Sequence, residues 1–156
     1  MRKYIRSTRE CSFNLFPPEI IAAIRKYVEK NGLGNIESNI LMCAETSSEK
    51  MKQGVFSKVF GGGNYAVKTC IVVVPERILW ATLDNKNGTA VLTARVNEIE
   101  VKDFQSNLVE DTGLEIFGFI SEFSERATAF IGLGEDEAAQ KLRRVLRETT
   151  ENAKRK

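Results

Sequence analysis

The chain has 156 residues, of which 42% are apolar and 28% are charged, and its formal net charge is +2. These values are typical of one soluble globular domain, and they exclude collagen-like, intrinsically disordered and disulfide-scaffold proteins. Histidine is absent, which removes the usual general base and the commonest zinc ligand. Cys11, Cys43 and Cys70 lie far apart in the sequence without a CxxC spacing. We therefore expect no metal site and no disulfides, and a reducing, cytoplasmic location.

Charge is distributed unevenly along the chain. Residues 1–10 carry four basic and one acidic side chain, residues 141–156 carry seven basic and two acidic ones, and the segment between them carries 12 basic and 18 acidic ones. An acidic body repels phosphate, so nucleic-acid binding is not expected. The apolar runs at 20–24 and 70–74 are far shorter than the roughly 20 residues of a membrane-spanning helix. No apolar segment follows the basic N-terminus, so no signal peptide is expected either.

Two amphipathic helices are predicted near the ends of the chain. Pro17-Pro18-Glu19 suits a first helical turn, Asn31-Gly32 suits a helix end, and the apolar residues between them share one face, so a helix is predicted over 17–31. Acidic residues at 135–137 and basic residues near the C-terminus complement the dipole of a second helix, predicted over 135–153. Residues 1–16 show no periodicity and are predicted to form a loose lead-in.

Between the helices the pattern is that of short strands. Asp84-Asn85-Lys86-Asn87-Gly88 predicts a hairpin turn, and the glycine-rich segment 51–64 predicts a loop. The predicted strands are 40–44, 65–74, 78–83, 90–96, 99–104, 114–120 and 127–131. About seven antiparallel strands followed by a helix predict a mainly β (α+β) fold, either a small barrel or two packed sheets.

The stretch from Tyr65 to Trp80 has a tight turn followed by Arg77-Ile78-Leu79-Trp80. It resembles the second and third strands of bacterial pleckstrin-homology-like (PH-like) domains, and the order of elements over 38–150 is similar too. The resemblance implies a bent antiparallel barrel of about seven strands, capped by the C-terminal helix and elaborated by an N-terminal helix. The implied organisation is a lead-in and helix at 1–34 and a PH-like barrel at 35–156.

The resemblance also directs attention to basic residues. In PH domains the loop between the first two strands often carries cations that bind a phosphorylated head group, and Lys52-Gln53-Gly54 matches the opening of that pattern. The later basic-x-Arg element departs from it, because Lys68-Thr69-Cys70 lacks the arginine. Four lysines without an arginine fork predict weak recognition of an anionic head group or partner. These candidate ligand-binding residues are Lys50, Lys52, Lys58 and Lys68.

Other chemical motifs are better explained structurally. Gly132-Leu133-Gly134 precedes a helix, but three acids at the helix start would repel a pyrophosphate. Gly61-Gly62-Gly63 is not followed by Gly-Lys-Ser/Thr, and Arg95 stands where a calcium loop beginning at Asp84 needs its bidentate glutamate. Glu98 and Glu100 would share one face of a strand, where solvated charges are expected. Cys43 and Cys70 are expected to be small buried residues.

We therefore predict a non-catalytic, cytoplasmic interaction or scaffolding module without a cofactor, which binds a protein or peptide along a strand edge or beside the C-terminal helix. A homo-oligomer is a further possibility, because an open strand edge favours self-association. The alternative is peripheral binding to anionic lipid through the basic loop and the basic tail. The candidate tail residues are Arg143, Arg144, Arg147, Lys154, Arg155 and Lys156.

Overall fold

The computed structural model describes residues 4–50, 66–106, 108 and 110–155. Within these residues, seven antiparallel strands form one sheet in chain order, which curls into a half-barrel and is accompanied by two α-helices. The strands are β1 (Tyr4–Glu10), β2 (Met42–Lys50), β3 (Ala66–Val74), β4 (Arg77–Asp84), β5 (Gly88–Asp103), β6 (Gly113–Ile120) and β7 (Ala127–Gly132). The helices are α1 (Pro18–Lys30) and α2 (Glu137–Lys154), and two 3₁₀ turns span Phe13–Leu15 and Ile36–Asn39.

Helix α2 packs against one face of the sheet, which we call the inner face. Its Ala139, Leu142 and Leu146 follow one another at spacings of three and four, and all three are completely buried. They share a cluster with alternate residues of the strands, including Trp80 and Ile116. The C-terminal helix therefore fills the curl of the sheet, as its predicted apolar stripe requires.

Helix α1 packs against the opposite, outer face of the sheet, where it lies mainly over β4 and the first part of β5. Ile20 and Ile24 are one turn apart and fully buried, and they contact a cluster that includes Val72 and Leu79. Because helices cover both faces here, residues 70–74 are all buried and form a continuous apolar run instead of an alternating pattern. The helix ends where Gly32 adopts φ +60° and the Leu33 N–H donates to the Val28 carbonyl at 3.0 Å, a glycine-terminated end of the Schellman type.

The N-terminal segment corrects one sequence-based expectation. Residues 4–10 do not form a loose lead-in; they form β1 and pair along their whole length with β2. The prediction was wrong because the inner face of β1 carries Arg6 and Thr8, so the strand lacks the apolar alternation by which strands are recognised. The helix predicted over 17–31 is confirmed as α1.

The strand set differs from prediction at two further points. The segments predicted as separate strands, 90–96 and 99–104, belong to the single strand β5, whose register with β6 shifts between Ala94 and Ile99. The first predicted strand, 40–44, begins at Met42 and continues to Lys50 as β2. The hairpin at Asp84 and the remaining predicted strands are present, although the predicted loop 51–64 lies outside the described residues.

Helix α2 starts two residues later than predicted. Asp136 is its N-cap residue, and the Asp136 carboxylate accepts a hydrogen bond from the Thr8 N–H at 2.9 Å. The acidic residues before the helix thus connect it to β1, in addition to lying at the positive end of its dipole.

Candidate binding face on the outer side of the sheet

The outer face of β6 and β7 lies beyond the outer core that α1 forms with β2, β3, β4 and the first part of β5. Its phenylalanine side chains are exposed, with 42% of Phe117, 49% of Phe119 and 41% of Phe130 accessible to solvent. Phe123, in the connection between β6 and β7, is 52% exposed. Large apolar side chains that gather on one surface indicate a contact with a partner, whereas scattered ones do not.

Nine outward side chains on or next to β5, β6 and β7 form three rows. Two rows follow from the paired residues. The members of the third lie at the register shift of β5 or just before β7, and we group them because they line one cleft. The rows are Lys102, Glu115 and Phe130; Glu100, Phe117 and Thr128; and Glu98, Phe119 and Arg126. We call these nine residues the aromatic face.

The Arg126 guanidinium lies over the Phe119 ring, 5.2 Å from its centroid. A cation and an aromatic ring at this distance attract one another, and the contact supports the pairing in the third row. Beside it, a cleft of about 250 Å³ extends to the end of α2. The cleft is lined by Asn97, Glu98, Ile99, Glu100, Phe117, Gly118, Phe119, Arg126 and Lys154.

Gly118 forms the floor of this cleft, and its position requires glycine. Its φ is +145°, and a Cβ atom there would overlap the Glu98 carbonyl oxygen of the neighbouring strand. This close approach lies beside the register shift of β5, a kind of irregularity that redirects side chains at strand edges and binding sites. It leaves Phe117 and Phe119 standing on either side of an open floor.

The charged groups of the aromatic face form only long, exposed ion pairs. Arg95 is 4.0 Å from Glu98, and Lys102 is 3.9 Å from Glu100. The side chains of Glu98 and Glu100 are 41% and 59% exposed. Pairs of this kind contribute little to folding, so these carboxylates remain available to a partner. The two glutamates flank the buried Ile99 and line the same cleft, in agreement with the prediction that they share a face of the strand.

The edges of the sheet are joined through side chains. Within the described residues, β1 and β7 share no backbone ladder. The Gly134 N–H instead donates to the Thr8 hydroxyl at 2.9 Å, and the Arg6 guanidinium lies 5.4 Å from the centroid of the Phe130 ring. The strand edge expected to accept a peptide is therefore occupied at this end by β1.

Of the predicted lysine site, the structure describes only Lys50 and Lys68. Lys50 is exposed on β2, and Lys68 lies 3.7 Å from the carboxylate of Glu45. Lys68 pairs with Ser47, so strand alternation puts Lys50 and Lys68 on opposite faces of the sheet. Lys52 and Lys58 lie outside the described residues.

Among the predicted tail residues, Arg143 is engaged within the fold. Arg143 is only 13% exposed; it forms an ion pair with Asp103 at 3.2 Å and donates to the Gly134 carbonyl at 3.4 Å. The side chains of Arg144, Arg147, Lys154 and Arg155 are exposed, and Lys156 lies outside the described residues. Lys154 contributes to the cleft beside the aromatic face.

The three cysteines are free, and the fold brings two of them together. The Cys11 N–H donates to the Cys43 carbonyl at 3.2 Å, although the residues are distant in the sequence. Cys43 and Cys70 are buried in the outer core, as predicted. Burial raises the pKa of the Cys43 thiol to about 12 and also raises the pKa of Cys70. Thiols of this kind are poor nucleophiles.

A second cleft, of about 630 Å³, lies where the C-terminal part of α2 approaches the turn between β3 and β4. Arg77 and Arg95 are paired across β4 and β5 and both line it, together with Glu76.

In the described part of the chain, no three side chains of metal-ligating type are grouped closely enough to bind a metal ion. No helix formed by the described residues has the length and apolarity required to cross a membrane.

Sequence analysis did not identify Phe117, Phe119 or Phe130 as candidate site residues. A signal was present in β6, where outward phenylalanines alternate with the buried Ile116 and Ile120. A strand that is apolar on both faces, near the end of a sheet, needs other groups packed against each face.

Comparison with protein-family models, curated proteins and solved structures finds no match to this chain.

Proposed function

We propose that this chain is a non-catalytic interaction module of PH-like type that binds a protein partner on its aromatic face. The observation that carries the proposal is the group of exposed rings, Phe117, Phe119 and Phe130, on a part of the sheet that neither helix covers. The curled antiparallel sheet with its C-terminal helix supports the PH-like assignment. The three free cysteines support a reducing, cytoplasmic location.

A protein partner suits the chemistry of this face. Exposed aromatic side chains supply the large contact area that interface hot spots use, and the surrounding charges can form a polar rim. The cleft above Gly118 offers a depression into which one apolar side chain of the partner can insert. Since β1 occupies one end of the β7 edge, we assign binding to the face of the sheet instead of to strand addition.

A displayed random-peptide library provides a test that requires no known partner. The library is selected on the wild-type chain, and the recovered peptides are then measured against a Phe117→Ser/Phe119→Ser variant. We expect at least a tenfold loss of affinity, because these rings form the centre of the face. Leu15→Ser, at a side chain that is 61% exposed elsewhere, is the matched control and should leave affinity unchanged. Peptides that bind the wild-type chain and the Phe117→Ser/Phe119→Ser variant with equal affinity would refute the proposal.

A further inference from the structure

We infer that the partner on the aromatic face is a second copy of this chain, packed face to face about a two-fold axis that runs over β6 and parallel to it. The inference rests on the proposed function, because it names the partner for the same surface. It starts from the row of Glu98, Phe119 and Arg126, which has an acid on one side of the central strand and a base on the other.

The row of Glu98, Phe119 and Arg126 shows this order most clearly. The acid belongs to β5 and the ring to β6, and the cation immediately precedes β7. The next row has Glu100 on β5 and Phe117 on β6. These two rows are therefore aromatic at their centres, with an acidic side chain on the β5 side.

A two-fold axis along β6 exchanges the two sides while keeping each row in register. Glu98 of one copy then faces Arg126 of the second copy, and the reverse contact forms at the same time. Phe119 and Phe117 each meet the same residue of the second copy near the axis. An isologous contact requires this self-complementarity, and two sheets that pack face to face keep their strands within about 30° of one another.

The remaining row modifies the contact. Lys102 of one copy faces the Phe130 ring of the second copy, which is an attractive cation–aromatic arrangement. Glu115 lies on β6 and so meets Glu115 of the second copy, which is repulsive. This predicts that Glu115→Gln strengthens the dimer, and a weaker dimer in that variant would contradict the arrangement.

The size of the face predicts a weak dimer. Three strands at a spacing of about 4.8 Å, with three rows of side chains, cover less than the roughly 800 Å² per partner of a standard stable interface. Association must therefore be measured over a wide concentration range, up to about 1 mM. Charge complementarity favours a second copy over an unrelated apolar partner, because an apolar partner would remove water from the exposed charges of Glu98 and Arg126 without pairing them across the interface.

Sedimentation equilibrium of the full chain tests the inference. We expect the weight-average mass to rise with concentration from the 17.5 kDa of one chain towards twice that value. Glu98→Arg and Arg126→Glu should each weaken self-association at least tenfold, because each creates two like-charge contacts across the axis. Glu29→Arg, the same charge change on exposed α1, should leave association unchanged.

Mixing the two weakened variants gives the sharpest result. In an equimolar mixture of Glu98→Arg and Arg126→Glu chains, both contacts of the mixed dimer again join an acid to a base. Association should recover to within about threefold of wild type, and a folding defect in either variant would prevent that recovery. A mixture that remains monomeric overturns the inference, as does a dimer that is insensitive to both substitutions.

Failure of the second-copy inference can be distinguished from failure of the proposed function. A wild-type chain that stays monomeric up to about 1 mM overturns the second-copy inference alone. If library peptides still lose affinity on Phe117→Ser/Phe119→Ser, the face binds a different protein. If they do not, both proposals are refuted.

Discussion

Arg6 and Asp111, which are 105 residues apart, form a two-point ion pair with the Arg6 Nε 2.9 Å from Oδ1 and the second guanidinium nitrogen 2.8 Å from Oδ2. Their side chains are only 10% and 15% exposed. Arg6 also donates to the Ser48 hydroxyl and lies over the rings of Tyr4 and Phe130. One side chain of β1 thereby joins the first strand to the segment before β6 and to β7, where no backbone ladder is described between the two edges.

Removal of this guanidinium should therefore destabilise the fold. We expect Arg6→Ala to lower the free energy of unfolding by about 3 kcal/mol, since the substitution removes the two-point, largely buried ion pair with Asp111. Urea titration followed by circular dichroism measures the change. Lys141→Ala, which breaks an ion pair with Glu10 between side chains that are 42% and 46% exposed, should cost less than about 1 kcal/mol. Equal losses of unfolding free energy in the Arg6→Ala and Lys141→Ala variants would contradict the structural role assigned to Arg6.

The thiols should differ in reactivity. Burial raises the pKa of all three thiols, to about 12 for Cys43, but Cys11 is partly exposed to the reagent whereas Cys43 and Cys70 are buried. At pH 8, Ellman's reagent should modify one thiol per chain quickly and the other two only after unfolding. Cys11→Ser should remove the fast phase. Two or three fast equivalents in the folded protein would mean that the outer core is open to solvent.

The pair of Arg25 and Glu37 should be visible in a titration. The Arg25 guanidinium donates to the Glu37 carboxylate at 2.9 and 3.2 Å, and this hydrogen bonding lowers the pKa of Glu37 from 4.5. A lowered carboxyl pKa stabilises the fold above the unfolded value, and the contribution is lost as the pH falls through the folded value. Carboxyl NMR should detect the shift, and Arg25→Gln should move the pKa of Glu37 back towards 4.5. An unchanged pKa in that variant would show that the pair does not persist in solution.

Anionic membranes should recruit the chain poorly. Lys50 and Lys68 face opposite sides of the sheet, and Arg143 is engaged by Asp103, so these three cations do not combine into one patch. In flotation with vesicles containing about 30% anionic lipid at roughly 0.1 M salt, the protein should stay in the aqueous fraction. Flotation that is lost when Lys50 is changed to Ala would favour the membrane alternative.

The sequence predicts those parts of the fold where the hydrophobic pattern is strong. The helical stripe around Leu142 and the continuous apolar run at 70–74 reflect burial, which depends on each element's own side chains. Strand β1 was missed because polar side chains, Arg6 and Thr8, occupy its inner face. Strand β5 was divided in two because its register shift interrupts the alternation that identifies a strand.

The candidate site could not be predicted for a different reason. Phe117 and Phe130 lie on different strands, and only the pairing of β6 with β7 puts their side chains on one surface. The exposure of that surface depends in turn on where α1 packs, which no local pattern indicates. In contrast, Lys50 and Lys68 were grouped by proximity to one predicted loop, and strand alternation separates them.

The most direct test of the central claim is an NMR titration of the isotope-labelled chain with a library-selected peptide. The account predicts that the largest amide shifts occur at Phe117, Phe119 and Phe130, with those of the cleft around Arg77 and of α1 nearly unchanged. Shifts centred on Arg77 or on α1, with the aromatic face unaffected, would contradict it.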